Sequence, residues 1–342
     1  MLLDLSFSEI QDYVTKIGLP VFRAEQIFDA IYSAKTLEEV SNLPKAIKGI
    51  IKNDYPDIKI LKKLVSKDGT CKYIVEFGDG EIVECVLMKY KYGYTICLST
   101  QVGCRMGCKF CASTLNGLKR NLSAGEILGQ ALVINRDLGG SSKERKITNI
   151  VLMGSGEPLD NFENVCKFID LVSSARGLNV SQRNISLSTC GLVDKIYELA
   201  QKNYNITLTI SLHSTTDEKR REIMPIANRY TIKEIIDACR NYFDKTGRRI
   251  YFEYTLIKGV NDSSEDVDRL SKMLKGLNCH VNIIPLNSVK ERNLTGTTRL
   301  FAYKFAEELN AKKVSATVRR TMGEDIEGAC GQLRNKIIRE RK

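Results

Sequence analysis

The sequence is poor in histidine and lacks the features expected for a membrane or secreted protein. It contains only two histidines, His213 and His280, and no second Cys-x2-Cys pair accompanies the one ending at Cys111. A structural zinc site usually needs four ligands in paired knuckles, which these residues do not supply. No run of eighteen apolar residues occurs, so no membrane span is expected. The first ten residues carry acids where a signal peptide would carry bases, and we expect a cytoplasmic protein.

Basic residues outnumber acidic ones, and the excess is unevenly distributed. The chain has 52 lysines and arginines, 41 acids and a net charge of +11. Residues 1–60 hold seven bases against nine acids, so they contribute −2 and the remaining residues +13. Dense basic runs lie at 312–320 and 334–342. Such a surplus favours a polyanion such as nucleic acid, although solvated lysines that aid solubility give the same composition.

Eleven cysteines in a chain expected to be cytoplasmic do not predict a disulfide framework. The number is odd, and the spacing is scattered outside one cluster. Five cysteines stand in apolar or amphipathic surroundings and are predicted to be small buried hydrophobic residues: Cys71, Cys85, Cys166, Cys239 and Cys279.

Hydrophobic periodicity predicts four parts of the chain. Residues 1–60 are typical of a small helical domain, and 61–92 contain a β-hairpin linker with its turn at "GDG". From 93 to 322, strands alternate with helices, which predicts a parallel sheet with crossover helices. The predicted strands are 94–100, 147–154, 184–191, 206–214, 249–257, 280–287 and 314–320. The fold class is therefore α/β, a partial (β/α)6-type barrel, followed by a C-terminal tail over 323–342.

Three cysteines stand in "CRMGCKFC" (104–111), directly after the first predicted barrel strand. Loops after the carboxyl ends of barrel strands carry the chemistry in such folds. A zinc ion held by three cysteines is uncommon. A 4Fe–4S cluster usually takes four cysteines, so three thiolates would leave one iron open to an exogenous amino and carboxylate group. The spacing Cys-x3-Cys-x2-Cys on this loop resembles that of radical AdoMet enzymes.

Polar residues also stand at the ends of several later predicted strands. "MGSGEP" (153–158) follows the second strand, and its glycines permit close backbone approach while Glu157 offers an acceptor. Similar positions hold Ser188, Ser211, His213 and Asn287. Each alone is equally typical of a strand cap, but together they favour a lined pocket.

Two further cysteines stand out. Cys97 lies on the first barrel strand, and Cys330 lies between small residues near the C-terminus. An inert tail thiol is the plain interpretation of Cys330. The acids that precede it and the basic run that follows it instead favour a tail that docks over a site.

The motifs "STQVGCRMGCKFCASTLNGLKRNLSAGEI", "MGSGEPLDN", "SLHS", "IMPIANRY", "GVNDS" and "GACGQL" resemble the dual-specificity RNA methyltransferase family of the RlmN type. The resemblance covers nearly the whole chain. It implies radical AdoMet methylation of C2 of an adenosine in 23S rRNA and in tRNA. It also implies two AdoMet molecules per turnover, one as methyl donor and one as the source of a 5′-deoxyadenosyl radical.

The resemblance also implies the role of each residue. Cys104, Cys108 and Cys111 hold a 4Fe–4S cluster, and the AdoMet contacts are Gly156, Glu157, Ser188, Ser211, His213 and Asn287. Cys330 becomes S-methylated, Cys97 resolves a protein–RNA adduct through a transient disulfide with Cys330, and Glu84 is a proton acceptor. From its residue type alone, Glu84 would pass as a surface strand residue. Departures from the family pattern at Ser155, Cys190 and Glu324 remove no ligand.

Three alternatives remain at this point. The first is the sister enzyme that methylates adenine C8, the second a non-catalytic RNA-binding protein with a structural metal, and the third a radical enzyme acting on a small molecule. We further expect a monomer that receives electrons from a flavodoxin or ferredoxin. Arg319, Arg320 and the 334–342 run are candidates for gripping RNA.

Overall fold

The computed structural model describes residues 1–141, 144–286, 294–326 and 332–340. Its first part is helical, as the periodicity predicts, with α1 (Phe7–Lys16), α2 (Arg23–Tyr32) and α3 (Lys45–Ile51). Ser6 begins α1 through a capping box with Glu9, in which each side chain accepts the other residue's backbone N–H. The apolar faces of these helices belong to the same hydrophobic cluster as the sheet.

A ten-stranded sheet forms the centre of the molecule. Its antiparallel part consists of β1 (Ile58–Val65), β2 (Cys71–Phe77), β3 (Ile82–Tyr90) and β4 (Gly93–Cys97). A separate two-stranded sheet pairs β5 (Gln101–Gly103) with β6 (Leu118–Asn121). The parallel part continues from β4 through β7 (Ile147–Leu152), β8 (Ile185–Thr189), β9 (Thr207–Ser211), β10 (Ile250–Leu256), β11 (Cys279–Pro285) and β12 (Ala316–Val318).

Helices connect the parallel strands. They are α4 (Ala124–Asp137), α5 (Phe162–Ser173), α6 (Val193–Gln201), α7 (Asp217–Ile223), α8 (Ile232–Thr246), α9 (Ser264–Met273) and α10 (Arg299–Ala311), with α11 (Gln332–Glu340) after the last strand. All seven predicted barrel strands are present and parallel. Within the described residues β12 does not pair with β1, so the predicted partial barrel is confirmed.

Two elements escaped the sequence analysis. Strand β1 contributes an edge whose side chains are mostly exposed, and lysines protect such edges from pairing with other chains. Because little of it is buried, it has no strong apolar alternation to detect. The second element is the β5–β6 hairpin, whose strands are too short to give a pattern.

The five cysteines predicted to be buried are all buried within the main hydrophobic core. Among the described helices, none is both long enough and apolar enough to cross a membrane.

The C-terminal segment returns to the antiparallel strands. The backbone N–H of Gly323 donates to Asp68 Oδ2 (2.9 Å), in the turn between β1 and β2. Helix α11 then packs Leu333 and Ile337 against residues of β2 and β3. Arg334 is buried and its Nε donates to the carbonyl of Ile82 (2.8 Å). The prediction that the 334–342 run grips RNA is therefore wrong for Arg334, because that side chain is not at the surface.

Candidate functional site

The loops after β4 and β7 are joined at the carboxyl edge of the parallel strands. The backbone N–H groups of Thr100 and Gln101 both donate to the carbonyl of Ser155 (2.8 and 3.1 Å). Gly154 donates to the carbonyl of Leu98 (3.0 Å). A side chain at Gly154 would clash with that carbonyl, since an added Cβ would lie 2.6 Å from the oxygen. These contacts hold the cysteine loop beside the "GSGEP" turn.

The β5–β6 hairpin carries the three-cysteine loop. At its base, Cys104 N–H donates to the carbonyl of Gly117 (3.0 Å). At its far end, the Thr114 hydroxyl donates to the carbonyls of Cys108 (3.2 Å) and Cys111 (2.9 Å). Cys104 and Cys108 are buried at 6% and 8% exposure, while Cys111 is half-buried.

The three thiols fit an iron–sulfur cluster. Burial raises the pKa of Cys104 to about 12 and also raises that of Cys108, and the negative charges of the neighbouring cysteines add to both effects. A bound cation reverses this preference, because a coordinating thiol loses its proton. Among the described residues, no three metal-binding side chains surround a single ion position. A cubane needs no such arrangement, since each thiolate binds a different iron.

Glu157 is anchored at the end of β7. One carboxylate oxygen accepts the N–H of Cys190 (2.7 Å) and the other accepts that of Leu159 (3.1 Å). Burial raises its pKa. Gly156 precedes it with φ +110, where an added Cβ would lie 2.7 Å from Gln101. Hydrogen bonds from the side chains of Thr189 and Cys190 also act on this carboxylate and partly offset the rise in its pKa, so several protein donors face Glu157.

The ends of β8 and β9 supply the next polar groups. The hydroxyls of Ser188 and Ser211 lie 3.5 Å apart. His213 is buried with φ +54, and its Nδ1 accepts the backbone N–H of Thr255 (3.0 Å). Burial lowers the pKa of His213 to about 3, so the ring is neutral near pH 7 and its proton is on Nε2. The ring of Phe110, from the cysteine loop, meets the His213 ring edge-on, with 4.7 Å between the ring centroids.

Cys97 and Glu84 both lie inside the molecule. Cys97 is 7% exposed and packs with Val86 and Met88. Glu84 is buried rather than on the surface, 3.5 Å from Lys72, and accepts the N–H of Arg334 (2.6 Å) at the start of α11. Two predicted site residues, Asn287 and Cys330, lie outside the described residues.

Arg220, on α7, was missed by the sequence analysis. It is completely buried, and its guanidinium donates to the carbonyls of Cys190 (2.6 Å), Ser211 (3.3 Å) and Leu212 (3.1 Å). Its sequence context, "DEKRREI", is that of a solvated helix, so no local pattern distinguishes it. Lys72, completely buried beside Glu84, was also missed, because it stands at a polar position of strand β2 and no local pattern marks it as buried.

The comparisons with known proteins agree with this geometry. The sequence profile of the radical SAM superfamily matches residues 98–271, so the chain belongs to that superfamily and has its fold. A crystal structure of a radical SAM methyltransferase from Sphaerobacter thermophilus is similar at a TM-score of 0.91 and 38% identity, covering 97% of this chain and 98% of that one.

Curated relatives are more specific. The probable dual-specificity RNA methyltransferase RlmN of Clostridium perfringens (strain 13 / Type A) is 52% identical over 99% of this chain and 98% of its own length. The protein of the same name from Clostridium botulinum (strain Eklund 17B / Type B) is 50% identical over 99% and 97%. The chain belongs to the RlmN family of RNA methyltransferases.

Proposed function

We propose that this protein is a radical AdoMet methyltransferase that methylates C2 of a specific adenosine in 23S rRNA and in tRNA through an S-methylcysteine intermediate. The observation that carries the proposal is the meeting of the three-cysteine loop with Glu157 and His213 at one edge of the parallel strands. Similarity to RlmN relatives over 99% of the chain supports it.

The substrate explains why such a site is needed. Adenine C2 is electron-poor and does not act as a nucleophile toward the AdoMet methyl group. Cys104, Cys108 and Cys111 would hold the cluster, which would supply the electron for the reductive cleavage of AdoMet. The chain must bind that cofactor, orient it and shield the reaction from water.

The pocket residues suit the two ends of AdoMet. Glu157 can accept from its ammonium or ribose hydroxyl groups, and Gly156 lets the backbone approach closely. His213, neutral through burial, can donate from Nε2. The hydroxyls of Ser188 and Ser211 offer both donors and acceptors nearby, and we assign Asn287 to the same pocket.

In this proposal, a cysteine of the protein carries the methyl group covalently before the RNA receives it. Cys330 carries the carbon as a thioether, which becomes bonded to adenine C2, and Glu84 accepts the proton that C2 loses. Cys97 then attacks the Cys330 sulfur, so that a sulfur–sulfur bond forms while the sulfur–carbon bond breaks. The electron pair of the broken bond goes to the carbon, which takes up a proton and is released as the methyl group on the RNA. Glu84 contacts α11, which begins two positions after Cys330 in the sequence, and this contact supports a role for Glu84 beside the tail.

The partners follow from the substrate. The protein is an RNA-modifying enzyme, and we propose 23S rRNA and tRNA as its substrates in the cytoplasm. Arg319 and Arg320 are exposed and stay candidates for binding phosphate groups. We also keep the proposals of a monomer, of a flavodoxin or ferredoxin as electron donor, and of four parts: an RNA-docking domain (1–60), a linker (61–92), the barrel (93–322) and a catalytic tail (323–342).

The test combines anaerobic iron and sulfide analysis with mass spectrometry of a short RNA after reaction. We expect four irons and four sulfides per chain and 2-methyladenosine as product. Cys330→Ala should abolish the product, while the control Cys279→Ala, at the opposite edge of the sheet, should not. Formation of 8-methyladenosine would contradict the C2 assignment, and an unaffected Cys330→Ala variant would favour a non-catalytic RNA-binding protein.

A further inference from the structure

The guanidinium of Arg220 is a buried cation without an acidic partner among the described residues. Its side chain is 0% exposed, and the hydrogen bonds of its Nε and Nη2 all go to backbone carbonyls. Its Nη1 is buried and has no hydrogen-bond partner within the described part of the chain. Burying a charge in this way is costly unless an opposite charge compensates it.

Helix α7, which carries Arg220, packs against the cysteine loop. The backbone N–H of Lys109, between two cluster cysteines, donates to the carbonyl of Ile223, one turn along α7 from Arg220 (2.9 Å). An added Cβ at Gly107 would lie 3.3 Å from Pro225, just after the same helix. The guanidinium itself donates to the carbonyls of Cys190 and Ser211, at the same carboxyl ends of the parallel strands that carry the cysteine loop. The loop therefore packs against the element that carries this charge.

An anionic cluster would supply the negative charge that compensates the buried cation of Arg220. Three thiolates give the cluster site negative charge, and one-electron reduction adds one more. A nearby cation in a low-dielectric interior stabilises the form with more negative charge, which raises the reduction potential. Arginine stays protonated when buried, so its charge is fixed.

We propose that Arg220 is a positioning residue whose fixed charge favours the reduced cluster, and that its hydrogen bonds fix the ends of β8 and β9 around that charge. The inference rests on the proposed function, because it takes Cys104, Cys108 and Cys111 as the cluster ligands. It adds to that function a residue that is not one of the cysteine ligands.

The test is a potentiometric titration of the reconstituted full-length protein with dithionite, followed by electron paramagnetic resonance in the absence of AdoMet and RNA. We expect Arg220→Met to lower the potential by at least about 59 mV, which is a tenfold loss in the one-electron reduction equilibrium. Arg220→Lys keeps the charge and should stay near the wild-type potential. The control Arg221→Met, at the neighbouring exposed position, should leave the potential unchanged.

Three results would overturn the proposal. The first is an unchanged potential in Arg220→Met with a full complement of iron, even if AdoMet binding weakens. The second is an equal fall in Arg220→Met and Arg220→Lys, because the hydrogen-bonding fork rather than the charge would then be responsible. The third is loss of iron from both variants, which would make Arg220 purely structural. If Arg220→Met fails to fold, Arg220→Gln, which keeps hydrogen-bond donors but not the charge, takes its place, and an unchanged potential in that variant would overturn the proposal. A failure of the proposed function would instead appear in the wild type, as absence of a cluster or of methylated RNA.

Discussion

Replacing Gly103 by alanine should break the hairpin that presents the three cysteines. Gly103 ends β5 with φ +85, and an added Cβ would lie only 2.0 Å from the carbonyl oxygen of Gly117. That oxygen is the acceptor for Cys104 N–H (3.0 Å), at the base of the cluster loop. Backbone atoms on both sides of the clash leave no flexible side chain to move away, so β5 and β6 must separate.

The matched control is Gly117→Ala, in the same loop. Gly117 has φ +64, but nothing lies within 4 Å of its added Cβ. Both variants place an L-residue in the left-handed region, which costs about 1–2 kcal/mol. Gly103→Ala adds an overpacking cost of about 1–3 kcal/mol. The free energy of unfolding should therefore fall by about 2–5 kcal/mol for Gly103→Ala and by about 1–2 kcal/mol for Gly117→Ala.

The assay is iron content per chain after anaerobic reconstitution, alongside denaturant unfolding of both variants. Gly103→Ala should lose most of its iron, while Gly117→Ala should retain it. Equal iron content and equal stability in the two variants would refute the argument that the contact between Gly103 and Gly117 positions the cysteine loop.

Three other perturbations test separate parts of the structure. Glu84→Gln leaves buried Lys72 without its carboxylate, so we expect a loss of about 3 kcal/mol in denaturant unfolding. Its control, Glu81→Gln, affects an ion pair whose lysine, Lys119, is 66% exposed, and should cost less than about 1 kcal/mol; equal losses would contradict the role of the buried pair. Because burial lowers the pKa of His213 to about 3, the unfolded state binds a proton at this histidine below about pH 6.5, whereas the folded state does so only near pH 3. The stability should therefore fall as pH drops below about 6.5, by up to about 1.4 kcal/mol per pH unit from this group. His213→Asn, which tolerates positive φ, should show a shallower slope, and unchanged slopes would contradict this assignment. Finally, the logarithm of the RNA association constant should fall linearly with the logarithm of salt concentration. An association constant that does not change with salt would argue against phosphate binding.

The barrel strands were predictable because burial on both faces gives them continuous apolar runs bounded by polar residues. The same feature located much of the site, since polar residues such as Glu157 and His213 directly follow such runs. Helix starts were readable from local chemistry, as Ser6 shows with its capping box. The cluster cysteines needed only their spacing and their place after the first parallel strand.

Other features had no local signal. Strand β1 is mostly exposed, and the β5–β6 hairpin is too short for periodicity to detect. Glu84 looks like any acid on a half-exposed strand until α11 covers it. Arg334 belongs to a basic run that is typical of a nucleic-acid contact, yet its side chain is buried against β3.

The sequence by itself determined the class of fold and the family, and it singled out the three cysteines that we propose as cluster ligands, because these depend on periodicity, spacing and short motifs. The tertiary structure decided which charges are buried, since burial depends on contacts between residues far apart in the chain. Lys72, Glu84 and Arg220 are ordinary polar residues in sequence. In the folded protein they are buried charges, and their low-dielectric surroundings strengthen the electrostatic interactions of those charges with nearby groups.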